Sequence, residues 1–183
     1  MSFNINEMRA QLTGGGARPT LFQVQITNPA NNSGDLKTPF MVQASQLPAS
    51  TLGTVPVPYF GRTVNVAGDR TFAEWNVTVI NDEDFLIRNA MEEWSNTINS
   101  HQGNSNNFGT SNPSAYKSQA TITQYGKDGT ILRVYKFNGL FPLSVGEIGM
   151  DWSSTDDLER FEVTFQYDWW EVSGGVTGNA GGQ

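Results

Sequence analysis

The clearest alternation in the chain runs from Phe72 to Ile80. Ala73, Trp75, Val77 and Val79 share one phase; Glu74, Asn76 and Thr78 share the other. A period of two predicts a half-buried strand. Upstream, Thr63 to Ala67 alternates Val64 and Val66 with Thr63 and Asn65, and Gly68-Asp69 between the two runs predicts a tight turn. Asn81 to Asp84 then closes the strand with possible helix N-caps. From Glu83 to Asn99 the period changes. Ile87, Ala90, Met91, Trp94 and Ile98 fall at i, i+3, i+4, i+7 and i+11. That is one apolar stripe on a helix over 83–99, whose large side chains contribute about 6–12 kcal/mol at about 1.5–3 each when buried. A hairpin feeding a helix is thus the central unit.

The rest of the chain adds strands around it. Leu21 to Ile26 alternates Phe22, Val24 and Ile26 against Leu21, Gln23 and Gln25. Residues 28–35 are turn formers, and 40–46 reads as the returning strand. Ala120–Gln124 and Ile131–Phe137 flank Tyr125-Gly-Lys-Asp-Gly-Thr130, a hairpin signal, and 138–155 reads as a connector with short extended pieces. Leu158 to Val172 predicts the last strand, with Phe161, Val163, Phe165, Tyr167 and Trp169 on one face and Trp170 on the other. Ile5 to Leu12 suits one or two helical turns before the Gly14–Gly16 joint. The polar stretch 100–115, with Phe108 its one large apolar residue, predicts a long exposed loop.

Residues 47–61 fit none of these patterns. Three prolines, Pro48, Pro56 and Pro58, remove ladder donors and argue against a central strand. Yet the segment keeps Leu52, Val55, Val57, Tyr59 and Phe60. It is either a loop folded back on its own core or an extended arm that docks on a neighbouring subunit.

Composition narrows the picture. The 183 residues suit one domain, expected over 1–172, with a flexible Gly-rich tail over 173–183. A hydrophobic fraction of 37%, with 11 Phe, 5 Trp and 5 Tyr, favours β-structure, and 19 glycines favour many turns. Cysteine is absent, which removes disulfides, thiolate metal sites and a cysteine nucleophile. No apolar run approaches a membrane span and Met1–Glu7 lacks the features of a signal peptide, so membrane insertion is not expected. A net charge of −7, with the basic residues scattered, disfavours gripping nucleic acid but not avoiding it.

Candidate chemistry is sparse. His101 is the only histidine and has no spacing partner, so a serine-histidine arrangement is not expected. Asp82-Glu-Asp84 and Asp156-Asp-Leu-Glu159 lack the alternating ligands and central Gly of a calcium loop, and the first suits a helix N-terminus. The glycines form no phosphate loop. No enzyme, no metal and no cofactor is expected. A carbohydrate-binding β-module remains as a different class, with Trp170 its stacking candidate.

Several stretches together resemble one family. They are Ala17-Arg-Pro-Thr-Leu-Phe-Gln-Val24, Gln43-Ala-Ser-Gln-Leu-Pro-Ala49 and Val64-Asn-Val-Ala-Gly-Asp-Arg-Thr-Phe72. To these are added Trp75-Asn-Val-Thr-Val-Ile-Asn-Asp-Glu83, Ser114-Ala-Tyr-Lys117, Gly139-Leu-Phe-Pro142 with Val145-Gly-Glu147, and Phe161-Glu-Val-Thr-Phe165 with Trp169, Trp170 and Glu171. In this order they resemble the tail tube family of T-even-type contractile-tail bacteriophages, related to the inner tubes of type VI secretion and pyocin-like particles. The resemblance implies a mainly β (α+β) fold, a sandwich or half-barrel of two packed antiparallel sheets with one flanking helix. It implies hexameric rings whose strands join in a continuous inner barrel, stacked into the hollow tube of a virion tail assembled in the bacterial cytoplasm. The implied partners are further copies of the chain, the tail sheath, baseplate hub and tail terminator proteins, and, transiently in the lumen, the tape-measure protein and DNA. An inner tube of a phage-like injection or secretion system is the alternative within this class.

By the same resemblance, the wall comes from 40–46 paired with 62–67 and from 119–125 paired with 131–137. Gln43, Ser45, Thr63, Asn65, Thr121 and Thr123 are then lumen candidates. Leu52, Val55, Val57, Tyr59 and Phe60, together with the N-terminal segment, are candidates for ring stacking. The helix, packed through Ile87, Met91 and Trp94, faces outward toward the sheath.

Overall fold

The computed structural model describes residues 5–106 and 112–177. Its core is a sandwich of two antiparallel sheets that share one long strand. In chain order the elements are α1 (Ile5–Gln11), β1 (Phe22–Ile26), α2 (Thr38–Met41), β2 (Val42–Ser45), β3 (Ser50–Tyr59), β4 (Arg62–Phe72), β5 (Trp75–Ile80), α3 (Leu86–Ile98), β6 (Ser118–Tyr125), β7 (Ile131–Val145), β8 (Arg160–Gln166) and β9 (Trp169–Gly174). One sheet runs β1-β6-β7-β9 and the other β7-β8-β5-β2, with β7 passing from the first to the second. The pairing of β6 with β7, Thr121 opposite Lys136 and Thr123 opposite Val134, is as the Tyr125–Thr130 turn predicts.

Alternation explains the core. Val24 and Ile26 from β1, Ala120 and Ile122 from β6, and Phe137 from β7 face Trp75, Val77 and Val79 from β5 and Phe161, Val163 and Phe165 from β8. Trp75 is stacked on Phe137 with centroids 4.4 Å apart, and its indole N–H donates to Ser45 Oγ at 3.0 Å and to Gln46 O at 3.1 Å. The helix α3 covers one side. Ile87, Ala90, Met91 and Trp94 are buried, and the Trp94 indole N–H donates to Tyr116 O at 2.9 Å. The segment before β2 is clamped onto α3 as well. Asn28 donates from its side chain to Ala90 O at 2.8 Å, and Gly34 lies so close that a Cβ there would meet Ile87 Cα and Ala90 Cβ at 3.4 Å.

Six expectations are corrected. Gly68-Asp69 is no turn: β4 runs unbroken from Arg62 to Phe72, and the reversal falls at Phe60-Gly61. Gly68 instead faces Gly53 across the ladder, where a Cβ would come within 3.2 Å of the opposite backbone, so the two glycines allow a bulge. The Pro-rich stretch is not a loop on its own core but the strand β3, paired to β4. As a result 40–46 does not pair with 62–67. Phe40 and Met41 end the short helix α2, and β2 pairs with β5.

The helix begins at Leu86, later than 83, because Phe85 adopts a left-handed conformation and Asp84 Oδ1 accepts the Leu86 N–H at 3.1 Å. The connector expected over 138–155 is strand as far as Val145, kinked at Gly139 where φ is 71°. Lastly, 158–172 is two strands. The chain turns at Tyr167-Asp168, with the Asp168 N–H donating to Asn138 O, so β9 reverses onto β7 and Trp169 leaves the phase of Phe161 and Phe165. At the C-terminal end β9 reaches Gly174, and the Thr177 N–H donates to Leu132 O. Residues 107–111, with Phe108, and 178–183 of the expected tail lie outside the described residues.

Candidate functional site

The most unusual feature is the hairpin β3–β4, which forms a two-stranded sheet of its own. The turn follows from its dihedrals. Phe60 and Gly61 both take positive φ, 43° and 79°, the two-residue turn whose twist matches a hairpin. Tyr59 and Arg62 close it. In such a turn the closing pair is hydrogen-bonded, and bonded pairs alternate with unbonded ones. Val57–Val64 and Val55–Val66 are therefore bonded pairs, whereas Pro58–Thr63 and Pro56–Asn65 are not. Both prolines sit where their ring nitrogens point away from β4, so neither removes a ladder bond. They leave the outer edge of β3 short of donors.

The same register sorts the side chains. Val55, Val57, Tyr59, Val64 and Val66 share one face; Thr54, Pro56, Pro58, Thr63, Asn65 and Ala67 share the other. Every member of the apolar face is exposed, and Phe60 at the tip is 90% exposed. Among the described residues, the ring contacts and side-chain hydrogen bonds between the hairpin and the sandwich lie near its base. Phe72 lies 6.0 Å from Tyr167 between ring centroids, and the Trp170 indole N–H donates to Ala49 O at 3.3 Å. A hairpin without a third strand or a packed face is marginal in water. This one carries its apolar residues on an exposed face.

The lumen candidates fall on three elements. Thr63 and Asn65 lie on the hairpin's polar face. Thr121 and Thr123 lie on β6 opposite the phase of buried Ala120 and Ile122, in a polar row that continues to Gln25 on one side and to Lys136 and Glu171 on the other. Lys136 Nζ is 3.9 Å from Glu171 Oε1. Gln43 is exposed in a bulge of β2. Ser45 is corrected: it pairs opposite buried Val77 and its hydroxyl is taken by Trp75, so it faces the core. That bulge, invisible in the alternation, is what separates Ser45 from the phase of Gln43.

Among the described residues no three His, Asp or Glu side chains gather as a metal site. The His101 backbone N–H donates to Asn96 Oδ1, and its ring is exposed on the loop. Lys37 bridges Asp82 at 2.6 Å and Asp84 at 2.5 Å. The Lys37 ammonium, followed by the Glu83 backbone N–H, holds Asp82 below the usual carboxylate range. The same ammonium and the Leu86 N–H lower Asp84. In return Asp82, then Asp84, raise Lys37. This acidic cluster joins a loop to the start of α3; it is a structural staple. Trp170, the carbohydrate candidate, packs edge-on against Tyr135 at 5.7 Å and is no free platform. Sequence reasoning missed Trp152, which is 100% exposed in the loop after β7.

Comparison with known proteins follows the same direction. Residues 17–173 match the family described as phage tail tube protein. The chain is 40% identical to the tail tube protein gp19 of Enterobacteria phage T4, over 89% of this chain and 96% of that protein. It is 26% identical to a tail tube protein of Serratia phage KSP90, over 89% and 93%. Its fold is similar to a chain of the sheath-tube complex of the PVC extracellular contractile injection system in the extended state, with a TM-score of 0.59 at 15% identity over 94% of this chain and 99% of that one. It is also similar to the tube terminating cap of the anti-feeding prophage, with a TM-score of 0.63 at 16% identity over 86% and 91%.

Proposed function

The chain belongs to the phage tail tube protein family and is a structural component of a contractile phage tail; from that premise we propose that the hairpin β3–β4, expected above as a ring-stacking arm, instead closes six copies into a ring, and that rings stack into a channel for the genome. The observation that carries this reading is the hairpin's exposed apolar face, Val55, Val57, Tyr59, Val64 and Val66. Burying it on a neighbouring copy completes a structure that is marginal alone, and an annular arrangement pairs the open strand edges of every subunit. Leu52 and Phe60, also exposed, extend the contact at the hairpin's two ends.

With the apolar face against protein, the polar face is left for the lumen, with Thr63 and Asn65 upon it. The polar outer face of β6, with Thr121 and Thr123, is the second part of the wall. The helix α3, whose apolar stripe is spent on its own sandwich, is left to face outward toward the sheath. Sheath, baseplate hub and terminator proteins are the lasting partners in this scheme, and the tape-measure protein and DNA the transient ones.

Electron microscopy of the purified protein at high concentration tests the reading. Six-fold rings and tubes are expected. Joint replacement of Val55, Val57 and Tyr59 by Ser removes exposed side chains only, so the urea midpoint stays within experimental error while tubes disappear. Tubes from that variant, or none from the natural chain, overturn the proposal.

A further inference from the structure

Among the described residues, two further segments expose clustered apolar side chains. The first is α1. All its residues are exposed, and Ile5 and Met8, with Leu12 just past its last residue, fall at i, i+3 and i+7 as one stripe. A helix of seven residues does not hold in water by propensity alone, so this one needs a surface on which to bury that stripe. Arg9 and Arg18 beside it are exposed, and among the described residues no carboxylate pairs with either.

The second surface is the loop 146–159. It exposes Met150, Trp152 and Leu158, and carries Glu147, Asp151, Asp156, Asp157 and Glu159 with no basic residue. Asp157 is spent on Arg160 at 2.8 Å and Glu159 on Asn81. Asp151 Oδ1 accepts from the Ser153 backbone N–H at 2.9 Å and hydroxyl at 2.8 Å, which leaves its second oxygen, with Glu147 and Asp156, to meet a cation. A fully exposed Trp within such a patch marks an interaction surface.

The chain attaches the two surfaces at opposite ends of β7. The segment that follows α1, through Gly14 and Arg18, lines one depression with Tyr125 to Leu132 at the start of that strand. The loop 146–159 leaves its far end at Val145, after 15 strand residues that bend at Gly139.

We propose that α1 of one copy docks on the 146–159 loop of the next copy, with Ile5, Met8 and Leu12 against Met150, Trp152 and Leu158, and Arg9 against Asp151 and Asp156. The proposal rests on the tube reading and supplies its stacking contact. One copy carries at one end an apolar plug with Glu7 in its first turn and Arg9 in its last, followed by Arg18, and an acidic apolar socket at the other. Such a contact is heterologous: one contact leaves a plug free on one copy and a socket on the other, so where the rotation does not close a ring it repeats as an open stack.

The absence of cysteine makes cross-linking clean. Ala10→Cys and Ser154→Cys flank the contact without belonging to it. A bis-maleimide applied to tubes of the double variant is expected to give a ladder of covalent multimers, and each single variant none. Natural tubes with no ladder from the double variant, or an equal ladder from either single variant, overturn the contact alone. If the natural chain makes no tube, the tube reading falls and takes this contact with it. Arg9→Glu is expected to lose tubes at an unchanged urea midpoint, and Arg9→Glu with Asp156→Arg to regain them. Tubes of normal length from Arg9→Glu overturn the proposal. So do Trp152→Ser tubes of normal length that fail only to acquire a sheath, because the loop then serves another tail protein.

Discussion

Single residues decide where this chain bends and where it holds. Gly139 is one of them, with φ at 71° and the Asp168 carboxylate packed where a Cβ would stand. Asp168 in turn pairs with Lys117 at 2.7 Å. Gly139→Ala therefore meets both backbone strain and a displaced ion pair, and should destabilise by about 1–3 kcal/mol in urea unfolding. An unchanged midpoint would mean that β7 does not need this kink. The Lys37 staple gives a pH signature. Asp82 and Asp84 are lowered from 3.8, so the stability they contribute is present above that value and fades as pH falls through their depressed values. Lys37 is raised from 10.5, so its share is present below that value and fades at still higher pH. The stability gap between the natural chain and Lys37→Met should be flat from about pH 5 to 9 and close at either extreme. Thermal unfolding across the pH range measures it, and a gap that persists well below pH 3 would assign the effect to packing.

At the scale of elements, the hairpin has two unlike edges. Pro56 and Pro58 blunt the outer edge of β3, whereas Thr63, Asn65 and Ala67 on β4 keep outward-pointing amides. A neighbouring strand can add to β4 only. Asn65→Pro removes one outward donor and no internal ladder bond, so it should leave the fold intact and abolish rings, while Asn65→Ser keeps both. Circular dichroism and electron microscopy on the two variants decide it; rings from Asn65→Pro would show that the face, not the edge, makes the contact. This asymmetry also explains what the amino-acid pattern revealed. Strands buried on one face were legible, because Trp75, Val77 and Val79 or Phe161, Val163 and Phe165 alternate against a core within the same chain. The helix stripe through Ile87, Met91 and Trp94 was legible for the same reason. The hairpin is legible only in part: its apolar face has no core within the same chain to alternate against, and its prolines obey the rule for an edge rather than a centre. The bulges at Gln43 and at Gly53–Gly68 were not legible at all, since register shifts leave no period. Hence strict alternation puts Ser45 on the face opposite the core, where the bulge turns it inward.

At the scale of the whole molecule, the proposed tube sets one requirement for charge and shape. On that reading DNA has to pass without being held. The chain carries a net charge of −7, and its affinity for phosphate would come from unpaired Lys and Arg on the lumen wall. On the outer face of β6 and β7 the one lysine in the Thr121 row, Lys136, is offset by Glu171 on β9. Thr121 and Thr123 are hydroxyls that offer no charge. Replacing both by Lys adds two cations per copy, twelve around a ring of six, to a row that is now balanced. Each unpaired cation that reaches a phosphate releases counterions and slows sliding, an effect that salt weakens. If this face lines the channel, the double Lys variant should assemble normally and eject its genome more slowly at low salt, recovering as salt rises. Ejection kinetics of virions carrying the variant measure this directly. Unchanged kinetics at low salt would take Thr121 and Thr123 off the wall and leave the lumen to the polar face of the hairpin.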